Sequence, residues 1–106
     1  MFYIYILFSA ISDKYYVGYS NDPRRRVIEH NTKPFNTYTS KHRPWRLVAA
    51  FECGSDEKKA IQIERFIKKQ KSRKLIEIMI SDIPLTGVLA QLVRVPEVPV
   101  VGRKEQ

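Results

Sequence analysis

Five side chains in this chain have the types and spacing for acid–base and anion chemistry: Tyr5, Tyr16, Arg26, His30 and Glu64. A phenol relays a proton when its surroundings lower its pKa, and an imidazole exchanges one near neutrality. Arginine suits phosphate because its planar fork donates two parallel hydrogen bonds and never loses its charge. Arg26 and His30 lie four positions apart, hence on one stripe of a helix beside Val27. Each has a plainer reading. Tyrosines commonly serve packing and strand propensity, and a lone helical histidine is commonly structural.

Glu64 is the carboxylate that stands out. At about 100° per residue, Ala60, Ile61, Ile63, Phe66 and Ile67 cover one arc of a helix, and Glu64 falls inside it. A carboxylate on a core-facing stripe is costly unless a metal ion or basic partner offsets it. The alternative is an edge position paired with Lys68, four residues on.

Arg24, Arg25 and Arg26 crowd the first turn of a helix, where the dipole favours anions. A bound phosphate would remove that conflict, since free N–H groups at a helix start attract it. For Arg24 and Arg25 a solvated basic face is an equal reading. Lys41, His42, Arg43, Arg46 and Lys68 extend the basic surface, with His42 expected against phosphate or solvent. The formal charge of +8 biases the chain toward polyanions, either nucleic acid or an acidic membrane surface. The sequence has no Gly-rich phosphate loop, HExxH, GxSxG or paired Cys/His set. Cys53 is the single cysteine, expected as a small buried residue and in keeping with a reducing cytosol. No secretory signal or run of about 18 apolar residues is visible, so a cytoplasmic protein without membrane contact is expected.

Residues 2–7 and 15–20 alternate aromatic and β-branched positions across a short polar break, which predicts an antiparallel hairpin. Gly18, late in the second strand, implies close approach of a phosphate or a packed helix. Asp22 and Pro23 predict the start of a helix ending near Asn31, before Pro34. A polar, basic loop over 36–44, a third strand over 45–52 and a helix from Ser55 to about Lys71 follow. A short helix is expected over 73–80. Residues 1–80 are read as one domain. Residues 81–106, rich in proline and valine without period, are read as a tail outside the core and open to disorder.

Tyr3-Ile4-Tyr5 and Tyr16-Val17-Gly18, with Arg26 ten residues after Tyr16, then His30 and Glu64, resemble the GIY-YIG nucleases of the small single-domain kind. The resemblance covers roughly residues 2–80. It implies an α+β fold in which a three-stranded antiparallel sheet is flanked by helices, ordered β-β-α-β-α. It also implies hydrolysis of DNA phosphodiester bonds with one Mg²⁺ or Mn²⁺ held by Glu64, in repair or recombination. Arg26 then clamps the phosphate, Tyr5 acts as base or orients water, Tyr16 supports it, and His30 assists proton transfer. Two departures are visible: Tyr3 replaces the first glycine, and the family's later asparagine has no counterpart after Asn36. DNA is the expected partner, with no small-molecule cofactor; oligomeric state is left open. A catalytically weak nucleic-acid-binding module is the alternative, and a domain binding acidic proteins a third reading.

Overall fold

The computed structural model of the chain describes residues 1–33, 37–96 and 98. Strands β1 (Phe2–Ser9) and β2 (Lys14–Ser20) form the expected hairpin. Helix α1 (Pro23–Thr32) and a short helix α2 (Thr37–Lys41) lead into β3 (Trp45–Gly54). Helices α3 (Glu57–Gln70) and α4 (Arg73–Ile80) follow, then a 3-10 turn (Gly87–Gln91) and β4 (Val93–Arg94). The sheet is antiparallel throughout, in the order β2-β1-β3-β4.

Both faces of β1 are covered, so Ile4, Tyr5, Ile6 and Leu7 are all buried. On one face Ile4, Ile6, Val17 and Phe51 pack against Ala60, Ile63 and Ile67 of α3 and Ile76, Met79 and Ile80 of α4. On the other, Tyr5, Leu7, Trp45 and Ala50 gather with Tyr16 and with Val27 of α1. Burial of such side chains stabilises the sheet by about 1.5–3 kcal/mol each.

Helix α1 has little apolar surface, and only His30 on it is fully buried. Polar bonds hold it instead. Asp22 accepts from the Arg25 N–H at its start, with Pro23 in the first turn. At its end Arg43 donates to the carbonyls of His30 (2.7 Å) and Lys33. The Asn31 amide grips the Trp45 backbone twice, donating to its carbonyl at 2.9 Å and accepting from its N–H at 2.6 Å.

The α+β class and the order of the first elements follow the expectation; four details differ. The sheet has four strands rather than three, because Val93 and Arg94 pair with Glu52 and Phe51. The expected tail is corrected where it is described: Leu89, Leu92 and Val98 are buried, and Arg94 donates to the carbonyls of Met79 (2.7 Å) and Ser81 (2.6 Å). Leu89 and Leu92, three apart, give this segment one apolar side without any long period. Residues 97 and 99–106 of that tail, like Asn36, lie outside the described residues. The loop after α1 contains α2, and Asp56 rather than Ser55 caps α3 through the Lys58 N–H.

Asn31→Ala removes both bonds to Trp45. It should lower the unfolding free energy by about 1–3 kcal/mol, measured by urea titration with an unchanged m-value.

Candidate active site

The strand register brings the first phenol to its place. Tyr5 stands opposite Gly18, and its ring lies over that glycine. A Cβ at position 18 would sit 2.5 Å from the Tyr5 Cζ and Oη. The group that approaches Gly18 is therefore the Tyr5 ring, and neither a phosphate nor a packed helix is needed to account for the glycine. Tyr16 lies two residues earlier on the same face of β2. Its ring is 6.4 Å from that of Tyr5, centroid to centroid.

Helix α1 brings His30 and Arg26 to the same place. The Tyr5 hydroxyl is 3.0 Å from the His30 Nε2, in the buried interior. The His30 ring meets Tyr16 edge-on, with centroids 4.8 Å apart. The cationic Arg26 is close enough to the Tyr5 phenol to act against the upward shift of its pKa. A guanidinium only donates and a phenol oxygen has two acceptor lone pairs, so the direction of the Tyr5–His30 bond is set by the His30 tautomer.

Burial, with a smaller contribution from Tyr16, pushes the Tyr5 phenol up to about 12. Burial also depresses His30 to about 4, helped by the cationic Arg26. His30 is therefore neutral at pH 7, an acceptor rather than a ready acid.

Glu64 comes from α3, on the opposite side of the sheet. Its carboxylate is only 16% exposed and pairs with the Lys68 Nζ at 3.2 Å. That ammonium lies 5.1 Å from the Tyr16 ring centroid, so Lys68 reaches the phenol pair and links it to Glu64. Both sequence readings of Glu64 hold together: it turns inward, and it pairs with Lys68. The site thus joins two phenols, an imidazole, a guanidinium and a carboxylate from β1, β2, α1 and α3.

The surrounding cations divide into two groups. Arg24, Lys41 and Arg46 are exposed, with Arg46 near Tyr15 on the face opposite the phenol pair, whereas the exposed Lys68 is paired with Glu64. The others are already engaged. Arg25 donates to Asn21 at 3.2 Å and meets Glu29 at 3.5 Å. Arg43 caps α1, and the His42 Nδ1 is 2.8 Å from the Ser12 Oγ, its ring packed against Tyr38 and Trp45.

Glu29 went unnoticed in the sequence. It meets Arg26 at 2.5 Å, and this bond holds its carboxyl below the ordinary range. The signal was present, since Glu29 is four residues after Arg25 and three after Arg26. Among the described residues no group of three or more His, Cys, Asp or Glu side chains is placed to hold a metal.

These residues sit on a β-β-α-β-α frame, with a short helix before the third strand. The family profile described as the GIY-YIG catalytic domain matches residues 1–76. The chain belongs to the GIY-YIG family of nucleases. It is 37% identical over 62 residues to the UPF0213 protein YazA of Bacillus subtilis, a match covering 58% of this chain and 62% of that protein. A UPF0213 protein of Streptococcus pneumoniae is 35% identical over 69 residues, covering 65% of this chain and 68% of its own. One from Haloquadratum walsbyi is 36% identical over 78 residues, covering 71% and 85% respectively.

Two outcomes follow from this geometry. Gly18→Ala forces the Tyr5 ring out of place and should cost about 1–3 kcal/mol of stability, read by urea unfolding. For His30 the folded value lies below the ordinary one, so between about pH 4 and 6.5 the unfolded chain binds the extra proton. Stability should therefore fall as pH drops through that window and stay level above it. His30→Gln should flatten that part of the pH profile, whatever its effect at pH 7.

Proposed function

We propose that this chain is a metal-dependent endonuclease that hydrolyses DNA phosphodiester bonds, working in the cytoplasm on DNA under repair or recombination. The observation that carries the reading is the bond between Tyr5 and a neutral His30, with the cationic Arg26 near the same phenol and Lys68, the partner of Glu64, over Tyr16.

In this mechanism Arg26 binds a non-bridging oxygen of the scissile phosphate and stabilises the charge that grows on it. Tyr5 orients the attacking water. As the water oxygen bonds to phosphorus, the P–O bond to the leaving nucleotide oxygen breaks; the water proton passes to the Tyr5 oxygen, the Tyr5 proton moves to the His30 Nε2, and the leaving oxygen takes a proton from solvent. The relay avoids a free phenolate, which a phenol near 12 does not supply at neutral pH. Tyr16 packs against the His30 ring and keeps its orientation. Arg24, Lys41 and Arg46 are exposed for further phosphate contacts, and Lys68 joins them once it leaves Glu64. Arg25, His42 and Arg43 would first have to leave the partners that hold them.

The donor set suits a hard divalent ion. Glu64 is a partly buried oxygen donor that already carries one cation, the Lys68 ammonium. One carboxylate with water completing the shell is a pattern Mg²⁺ accepts. Glu64 would hold Mg²⁺ or Mn²⁺. When bound, the ion supplies Lewis-acid neutralisation of charge at the phosphate and the leaving oxygen.

With Mg²⁺, wild-type protein should cut plasmid or branched DNA. Arg26→Ala and Glu64→Gln should each lose about a hundredfold or more in rate, read on gels under single-turnover conditions. Wild-type activity in Glu64→Gln would remove the metal assignment. One observation favours the alternative of a binding module without cleavage: Arg26 and Glu64 are both already ion-paired, to Glu29 and Lys68. DNA binding without cleavage in Mg²⁺ or Mn²⁺ by the wild-type protein would decide for it.

A further inference from the structure

A cleft of about 420 Å³ runs from Tyr16 and Lys68 to the β1–β2 turn and the start of α4. It is within the size range of sites for small ligands, about 300–1,000 Å³. It shares Tyr16 and Lys68 with the candidate active site, so its occupant would be a direct neighbour of whatever that site holds.

Three tyrosines line the cleft, and they differ in what covers them. The Arg73 guanidinium lies 4.9 Å from the Tyr15 ring centroid and is fixed there by Asp13 (2.7 Å) and Glu77 (3.1 Å). Lys68 covers Tyr16. Tyr38 is different: it is 46% exposed, yet it is backed by the rings of His42 at 5.0 Å and Trp45 at 6.3 Å. It presents a supported aromatic surface to solvent.

Charge gives the second constraint. Lys14 and Lys71 on the rim are exposed and make no ion pair among the described residues. Asp13, the lining carboxylate, is neutralised by Arg73. A supported aromatic surface and uncompensated cations lining one cleft match a base and its neighbouring phosphates. In a duplex the base faces are hidden in the stack, so only an unpaired base can reach Tyr38.

We propose that this cleft holds an unpaired DNA nucleotide next to the scissile phosphate, its base stacked on Tyr38 and its flanking phosphates on Lys14 and Lys71. The preferred substrate is then single-stranded at or beside the cut. The word "scissile" rests on the nuclease reading; the cleft and its ligand do not.

The test is fluorescence anisotropy in EDTA with a labelled single strand, the matching duplex, and that duplex carrying a single-stranded flap. Wild-type protein should bind the single strand and the flap more tightly than the duplex. Tyr38→Ala should weaken both by about tenfold or more while changing duplex binding less than twofold, and Tyr38→Trp should restore them. Lys14→Glu with Lys71→Glu, at exposed positions, should weaken the same two ligands and flatten their salt dependence. Equal losses on all three DNAs, or none in either variant, would overturn the proposal. Because the assay contains no metal, it separates the two readings. Selective loss in Tyr38→Ala alongside a wild-type protein that cuts nothing would retain the cleft and remove the nuclease.

Discussion

The Tyr5 phenol takes the space where a side chain at position 18 would stand, and the candidate site depends on that exchange. The hairpin register pairs Tyr5 with Gly18 and Leu7 with Tyr16, which sets both phenols on one face. A slip of β1 by one residue would turn the Tyr5 ring to the opposite layer, against α3, and part it from Tyr16. Burial on both faces of β1 opposes such a slip, since Ile4 and Ile6 would exchange places with Tyr5 and Leu7. The stability of the central strand and the geometry of the phenol pair are thus one constraint.

Helix α1 shows how a nearly hydrophilic element can be placed accurately. Its start is capped by Asp22, its end by Arg43, and its distance from β3 by Asn31. Polar bonds are directional where apolar contact is not, and directionality is what a residue such as Arg26 needs. Helix α3 is placed the other way, by Ala60, Ile63 and Ile67 in the core, and Glu64 is carried inward with that stripe.

Much of this was legible beforehand. The alternation in the first twenty residues and the Asp22-Pro23 start announced the hairpin and α1, and the helical arc around Glu64 announced a carboxylate turned inward. Other features left no local trace. The engagement of Arg43 with α1 depends on the path of the chain between positions 33 and 43, which no periodicity reports. Val93 and Arg94 form a strand too short to alternate, and only their partner β3 defines it. The Tyr5 ring over Gly18 is a cross-strand contact: the glycine marked a close approach, but not by what.

The strand order leaves β2 at one edge of the sheet, with α1 and α3 leaning around it from the two faces. Unpaired edges invite another strand, and proteins commonly cover or charge them. Here the covering consists of the candidate site itself and its basic rim. A second chain adding a strand along β2 would have to cross the gap between Tyr16 and Lys68. Assembly through this edge and access to the phenol pair therefore exclude each other, and any fusion or dimer that keeps the site open must be built elsewhere on the domain.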